Sequence, residues 1–132
     1  MESAIKELIL WRMEKARNAL REAEANLNMG FYGVCMTRSY YAVLYSMQAA
    51  NGLYQFDSSK HSGVIAFFRK MFLKTGLMDK ELSKIIQETS NHRERADYED
   101  FYTASKEDAE KQLRGAGQFV AAVSDWLRQN MK

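Results

Sequence analysis

The sequence predicts an all-α protein, an antiparallel up-down bundle of four to five helices. Apolar residues recur at steps of three and four along several long segments, the spacing that lines one face of a helix. The chain has no proline, a residue that breaks helices and stiffens loops. No segment shows the sustained two-residue alternation of a half-buried strand, and the short turns between segments favour antiparallel neighbours.

The first two helices differ in how they distribute charge. Helix one is expected over about residues 3–28, where an apolar stripe lies opposite Lys, Arg and Glu side chains that can form helix-spaced ion pairs. Helix two is expected over about residues 32–51 and carries almost no charge except Arg38. A helix that is apolar most of the way round is buried on more than one side. We therefore expect helix two at the centre of the bundle or at a dimer interface.

The middle of the chain predicts two more helices and one irregular stretch. Helix three begins near His61, which shares a stripe with four apolar residues farther along. Helix four is expected from about Asp79, a good N-cap residue, to roughly Arg93. The stretch 95–104 is polar and has mixed periodicity, so we interpret it as a loop or a broken helix end.

The C-terminal segment predicts helix five, which ends near Asn130. Ser105, followed three residues later by Asp108, resembles the capping box that starts many helices, with Asp in place of the usual Glu. The 132 residues contain no repeat, low-complexity segment or linker. We therefore predict a single helical domain over residues 1–132.

Composition and charge exclude several classes of protein. Hydrophobic residues make up 46% and charged residues 27% of the chain, a balance that argues against disorder. With 19 basic and 17 acidic residues the formal net charge is +2, so any nucleic-acid site has to be a local patch. One cysteine and two histidines exclude an intramolecular disulfide and are a poor set of zinc ligands. We expect no metal and no cofactor.

The expected location is the cytoplasm. No apolar run approaches the roughly 18 residues that a membrane span requires, so we expect no membrane association. The first residues carry acidic side chains and lack the continuous apolar core of a signal peptide.

Three polar clusters stand out because a helical bundle does not need them to fold. They are Arg38-Ser39-Tyr40-Tyr41-Ala42, Lys60-His61-Ser62-Gly63 and Arg93-Glu94-Arg95-Ala96-Asp97-Tyr98. Each brings Arg, Tyr, His or Asp where Ala, Leu or a solvated Glu or Lys would serve. Arginine offers a planar set of donors to phosphate, so the clusters are candidates for binding an anion.

The first two clusters also have structural interpretations. Arg38 can form a buried ion pair, with Asp97 or Glu94 as its partner, since an unpaired buried charge costs several kcal/mol. His61 can bind an anion beside the free N–H groups at the start of helix three. Alternatively, its ring bonds a backbone carbonyl or Asp97.

The aromatic pair and the third cluster each allow a functional and a structural interpretation. Tyr40 and Tyr41 point roughly 100° apart around a helix, and they either stack on bases or pack with a hydroxyl bonded to a partner. The third cluster, with His92 just ahead of Arg93, is the most basic local group. Glu99-Asp100 follows directly and repels phosphate, so a solvated helix end with a local ion-pair network is the alternative.

Taken in order along the chain, these features resemble the HEPN family (higher eukaryotes and prokaryotes nucleotide-binding). The resemblance covers about residues 3–128 and is carried by Thr37–Ala42, Lys60–Ile65, Phe72–Gly76, Arg93–Tyr98 and a last helix ending in Gln118–Val123. It implies an all-α bundle that is usually a homodimer. Many members are encoded beside, or fused to, a minimal nucleotidyltransferase, and some are ribonucleases that act as toxins in toxin–antitoxin pairs.

The ribonuclease members carry an arginine followed, after four to six residues, by a histidine. The histidines here are at positions 61 and 92, and no arginine occupies positions 54–56 or 85–87. Arg93 has Tyr98 at the corresponding distance, and tyrosine is a poor general base near neutral pH because its ordinary pKa is about 10. The absence of the motif favours a protein without catalytic activity and leaves the question of an enzyme open.

The sequence supports three hypotheses. The first is a dimeric nucleotide- or RNA-binding module that works with a minimal nucleotidyltransferase in a toxin–antitoxin-like pair. Its candidate ligand-binding residues are Arg38, Tyr41, Lys60, His61, Arg95, Asp97 and Tyr98. The second is a divergent ribonuclease toxin acting across a dimer, with the catalytic candidates His61, His92 and Arg93. The third is a purely structural dimeric scaffold.

Overall fold

Five helices make up most of the chain, and they follow the apolar stripes of the sequence. The computed structural model describes residues 1–131, so Lys132, the last residue of the predicted single domain, lies outside the described residues. The helices are α1 (Ser3–Asn28), α2 (Tyr32–Gly52), α3 (His61–Phe68), α4 (Leu82–Tyr98) and α5 (Lys106–Asn130). Residues 1–131 contain no β-strand, so the all-α class predicted from the sequence is confirmed.

Helix α2 lies at the centre of the bundle and contacts each of the other four helices. Side chains are buried all round it, including those of Ser39 and Ser46. These two hydroxyls donate to the carbonyl oxygens of Cys35 and Val43, each at 2.8 Å, so burial leaves neither hydroxyl unpaired. The central position predicted for this helix is confirmed.

Helices α1 and α2 are antiparallel neighbours. Near the end of α1, Glu22 pairs with Arg38 in the first half of α2 at 3.0 Å. In the first half of α1, Ile9 lies against Gly52 at the end of α2, where a Cβ atom on residue 52 would be 3.3 Å from Ile9 Cγ1. Glycine at this position therefore allows the two backbones to approach closely.

Helix α3 is anchored to the core by aromatic rings. It continues into a π-helical turn at Arg69–Leu73, so the predicted third helix changes its winding before it ends. Phe68 and Phe72 are fully buried, and the ring centroid of Phe68 lies 5.5 Å from that of Phe119 on α5. This packing holds the start of α3, and with it His61, against the centre of the bundle.

Helix α4 begins slightly later than predicted. Asp79 was expected as its N-cap, but the helix starts at Leu82. The carboxylate of Asp79 accepts a hydrogen bond from the backbone N–H of Glu81 at 2.9 Å. Asp79 therefore caps the short turn that leads into the helix rather than the helix itself.

The end of α4 lies farther along the chain than predicted. The helix continues to Tyr98, so the expectation of a loop or broken helix end was wrong for residues 95–98. Arg93 pairs with Asp97 and Arg95 with Glu99, both four residues apart along the helix, and such pairs support a helical turn. A contact with α2 adds to this, since Ala96 packs against the side of α2 that carries Gly33.

Helix α5 starts at the predicted cap. The Ser105 hydroxyl accepts a hydrogen bond from the backbone N–H of Asp108 at 3.1 Å, which satisfies one of the free donors of the first turn. Phe101, in the preceding loop, is fully exposed and has a positive φ of 61°. Within residues 1–131, none of the helices combines the length and the apolar character needed to cross a membrane.

Candidate functional site

The three polar clusters of the sequence meet on one side of the bundle. Tyr40 and Tyr41 lie in the middle of α2, His61 is the first residue of α3, and Arg93 lies near the end of α4. The ring centroids of Tyr40 and Tyr41 are 5.8 Å and 5.6 Å from that of His61. We call Tyr40, Tyr41, His61, Arg93 and Tyr98 the Arg93 cluster.

Arg93 is at the centre of this cluster, and its side chain is only 16% exposed. Its Nη2 atom donates to the Tyr41 hydroxyl at 3.4 Å. Its guanidinium carbon lies 5.0, 5.8 and 5.6 Å from the ring centroids of Tyr40, Tyr41 and Tyr98, within the range of cation–π attraction. Burial alone would lower the pKa of Arg93, but the hydrogen bond to Tyr41 and the surrounding tyrosines raise it overall. The cluster therefore holds a permanent, partly desolvated positive charge.

Asp97 is the carboxylate partner of this charge. Its Oδ2 atom is 3.3 Å from Arg93 Nε, and its Oδ1 atom accepts from the Thr37 hydroxyl of α2 at 2.8 Å. The contact with Arg93 is not aligned as a hydrogen bond, so Arg93 Nε is a buried donor without an acceptor, as is Arg38 Nε. Because buried donors in folded proteins are nearly always paired, these two arginines have hydrogen-bonding capacity that the described residues do not use.

Tyr40 and His61 form a hydrogen-bonded pair in the floor of the cluster. The Tyr40 hydroxyl lies 3.0 Å from His61 Nδ1, and Tyr40 is 3% exposed. Burial raises the pKa of Tyr40 although the charge of Arg93 opposes this. Burial, together with the charge of Arg93, lowers the pKa of His61. The sequence suggested a backbone carbonyl or Asp97 as the partner of His61, and the structure places the Tyr40 hydroxyl there instead.

Arg38 is half-buried and paired, as the structural interpretation expected, but with a different carboxylate. The expected partners were Asp97 or Glu94, whereas the observed partner is Glu22 of α1, at 3.0 Å. Arg38 lies on the side of α2 that faces α1, while Asp97 is engaged by α4 and Thr37. The Arg38 guanidinium carbon also lies 5.4 Å from the ring centroid of Tyr41, so Arg38 borders the Arg93 cluster.

Tyr45 extends the aromatic surface beyond the residues that the sequence singled out. Its ring centroid lies 5.7 Å from that of Tyr41, four positions earlier on α2. The Lys15 ammonium of α1 lies 4.3 Å from the centroid of the Tyr45 ring. Arg38, Tyr41 and Tyr45 recur at steps of three and four, and this helical spacing was the signal that could have identified Tyr45.

Three of the candidate residues lie apart from the cluster. His92 Nδ1 is 2.8 Å from the Glu88 carbonyl oxygen of its own helix. Arg95 pairs with Glu99 at 3.2 Å and lies over the ring of Tyr102. Lys60 is exposed just before α3, and only its backbone forms hydrogen bonds within residues 1–131: its N–H donates to the Ser58 hydroxyl, and its carbonyl oxygen accepts from Gly63 and Val64. The structure thus brings Arg38, Tyr41, His61, Asp97 and Tyr98 together around Arg93, but not these three.

No group of three or more His, Cys, Asp and Glu side chains within residues 1–131 could hold a metal ion. The Arg93 cluster itself offers arginine, phenol and imidazole groups. Arginine binds phosphate oxygens, and arginine and aromatic planes both stack on unpaired bases.

Comparisons with known proteins identify relatives across nearly the whole chain. A protein of Methanocaldococcus jannaschii named "Putative toxin MJ0142" is 35% identical over 115 residues, which cover 87% of this chain and 78% of that protein. A "UPF0332 protein" of Thermotoga maritima is 35% identical over 116 residues, covering 86% of this chain and 85% of that protein. Another "UPF0332 protein", from Archaeoglobus fulgidus, is 30% identical over 119 residues, which cover 90% of this chain and 94% of that protein.

The family assignment rests on both kinds of comparison. The model of the family described as "HEPN domain" matches residues 9–126, a range that includes all three polar clusters. The same range covers α2, α3 and α4 completely, together with most of α1 and α5. The chain belongs to the HEPN domain family.

Proposed function

We propose that the protein is a dimeric nucleotide- or RNA-binding module that works with a minimal nucleotidyltransferase in a toxin–antitoxin-like pair. The observation that carries this proposal is Arg93, a largely buried cation surrounded by three tyrosine rings and a histidine. Single-stranded RNA is bound by surfaces of this composition, on which bases stack against aromatic or guanidinium planes while cations contact phosphates.

The charges of the molecule favour a small binding site. The net charge of +2 gives no general attraction for nucleic acid. Binding therefore has to come from the few cations near the cluster, chiefly Arg93 with Arg38 and Lys15 at its border. Since each phosphate contact adds to the salt dependence of binding, we expect this dependence to be shallow, as for one to three phosphates.

The proposed dimer would cover exposed apolar side chains outside the Arg93 cluster. Trp11 of α1 is 63% exposed, and Val34, four positions before Arg38, is 47% exposed. Exposed apolar and aromatic side chains of this kind are common at protein interfaces. Light scattering at micromolar concentration tests the dimer, for which we expect twice the mass of one chain, and a monomer would argue against it.

The proposed nucleotidyltransferase partner and the toxin–antitoxin-like pairing have a separate basis. Two relatives carry the name "Putative toxin", and the nucleotidyltransferase is implied by the family resemblance described above. A pull-down with a purified minimal nucleotidyltransferase, taken from the gene's neighbours where one is encoded there, tests this part. Failure of the two purified proteins to associate would remove the partner from the proposal and leave the RNA-binding part to stand on its own test.

Replacement of Arg93 by alanine tests the binding site. We expect Arg93→Ala to weaken binding of a short fluorescently labelled single-stranded RNA by about 10- to 100-fold in an anisotropy titration, because a hydrogen bond to a charged group is worth about 1.5–3 kcal/mol. Arg114→Ala on α5 is the matched control, since Arg114 is exposed and its replacement removes the same positive charge. We expect it to change the affinity by less than about threefold.

Two results would count against this proposal. Equal losses in Arg93→Ala and Arg114→Ala would show that RNA responds to net charge and not to the cluster. No binding of RNA or of any nucleotide by the wild-type protein would favour the purely structural scaffold. Arg95→Ala, measured beside them, tests the prediction that Arg95 binds ligand although it lies outside the cluster.

A divergent ribonuclease is the second candidate. Its support is that one cluster contains His61, whose imidazole is a group that can transfer a proton, and Arg93, whose guanidinium can stabilise negative charge. Incubation of the protein with labelled tRNA and mRNA tests it, alongside His61→Ala and His92→Ala. Cleavage that is lost only in His61→Ala would support catalysis in the cluster, and no cleavage by the wild-type protein would remove this candidate.

A further inference from the structure

The hydrogen bond between Tyr40 and His61 determines which nitrogen of the imidazole carries the proton. A neutral histidine has one N–H donor and one acceptor nitrogen. Either the Tyr40 hydroxyl donates to Nδ1, or Nδ1–H donates to the hydroxyl oxygen. The two arrangements leave different groups unpaired, so burial distinguishes between them.

The environment of the Tyr40 hydroxyl favours donation to His61. Tyr40 is buried, and within residues 1–131 the hydroxyl forms no hydrogen bond other than the one with Nδ1. The guanidinium of Arg93 lies over the Tyr40 ring, but a guanidinium has no acceptor. If Nδ1–H were the donor, the buried hydroxyl proton would lack an acceptor, which costs about 1–3 kcal/mol.

The other ring nitrogen of His61 is unused. Nε2 forms no hydrogen bond with residues 1–131, and His61 is partly exposed. Tyr40 and Tyr41 from α2 and Arg93 from α4 face the ring, and the carboxylate of Glu94 on α4 is near enough to act on Tyr40. Within residues 1–131 no carboxylate forms an ion pair with His61, and burial together with Arg93 lowers the pKa of His61, in agreement with a neutral ring.

We propose that Tyr40 fixes His61 with its proton on Nε2, and that this N–H donates to a phosphate oxygen of the ligand beside Arg93. Tyr40 is then a positioning residue, and His61 is a binding residue that recognises an anion without carrying charge. This inference rests on the proposed binding of nucleotide or RNA for its ligand class. It also opposes the ribonuclease candidate, because a nitrogen that already carries a proton cannot accept one from a ribose hydroxyl.

The tautomer can be measured directly on the full-length protein. Two-bond nitrogen–proton correlation spectra at pH 7.5 distinguish Nδ1–H from Nε2–H, and His92→Gln assigns the two rings. We expect the Nε2–H form for His61 in the wild type and a mixture of tautomers in Tyr40→Phe. An Nδ1–H or doubly protonated His61 in the wild type would overturn the inference whether or not the protein binds RNA.

Ligand titration tests the second half of the inference. Inorganic phosphate and a short single-stranded RNA are added separately, and we expect both to shift the Nε2 resonance of His61 but not those of His92. RNA that binds without moving His61 would overturn the phosphate contact while leaving the proposed function intact. Absence of any binding with the Nε2–H form present would instead contradict the proposed function, and with it the assigned ligand.

A matched pair of phenol-to-phenyl substitutions measures the contribution of the positioning hydrogen bond. We expect Tyr40→Phe to weaken RNA binding by about 3- to 10-fold, as for the loss of one hydrogen bond. Tyr54→Phe is the control, since Tyr54 is exposed and forms no side-chain hydrogen bond within residues 1–131. An unchanged affinity in Tyr40→Phe, with the fold checked by circular dichroism, would contradict a positioning role.

Discussion

Replacement of Asp97 by asparagine tests the ion pair that holds Arg93 in the cluster. The change keeps the shape of the side chain and an oxygen that can accept from Thr37, and it removes the negative charge. The side chains of Arg93 and Asp97 are 16% and 31% exposed. The pair therefore lies between exposed pairs, worth about 0–1 kcal/mol, and buried pairs, whose disruption costs about 3–5 kcal/mol. We expect Asp97→Asn to lower the free energy of unfolding by about 1–2 kcal/mol.

The control for this prediction is a second ion pair with the same chemistry but more exposure. Asp125 and Arg128 of α5 are 2.6 Å apart, and their side chains are 59% and 72% exposed. Asp125→Asn removes the same charge and should cost less than about 0.5 kcal/mol. Urea unfolding followed by circular dichroism at pH 7 compares the two variants. Equal losses would refute the conclusion that Arg93 lies in a partly desolvated site.

Two further predictions concern stability. We expect Ser105→Ala, which removes the cap of α5, to lower the free energy of unfolding by about 1 kcal/mol in the same urea assay, whereas Ser59→Ala in the exposed loop before α3 should leave it unchanged. Burial and the charge of Arg93 lower the pKa of His61 in the folded protein below the ordinary histidine value of 6.5. As the pH falls below about 6.5, the unfolded chain therefore binds more protons than the folded protein. The free energy of unfolding should therefore rise with pH up to about 6.5 and level off above it. We expect His61→Gln to flatten this part of the profile, measured by urea unfolding at several pH values. An unchanged profile in that variant would contradict the lowered pKa of His61.

The bounds of a helix could be predicted well where they depend on residues that are close together in the sequence. The bounds of α1 agree with the prediction because its apolar stripe and the following Gly30 are both visible in the sequence. The cap at Ser105 also agrees, since it depends on residues three positions apart. The end of α4 was placed too early, although the ion pairs four residues apart that support its last turn are visible in the sequence. The contacts of Ala96 and Asp97 with α2, which add to these pairs, could not be predicted in the same way.

The site could be predicted only in part, for a related reason. The residue types of the three clusters indicated where polar chemistry is concentrated, and most of the candidate residues do lie together. Their pairing depends on how each helix is rotated in the bundle. That rotation directs Arg38 to Glu22 on α1 and His61 to Tyr40 on α2, and no periodicity in the sequence specifies it.

The position of bound RNA is the most direct test of the account. A short single-stranded RNA containing 4-thiouridine can be photocross-linked to the wild-type protein, and the modified peptides can be identified by mass spectrometry. We predict cross-links to the peptides that contain Tyr41 and Tyr98, with fewer in Arg93→Ala. Cross-links confined to the outer face of α5, or equal yields in the wild type and Arg93→Ala, would contradict a binding site at the Arg93 cluster.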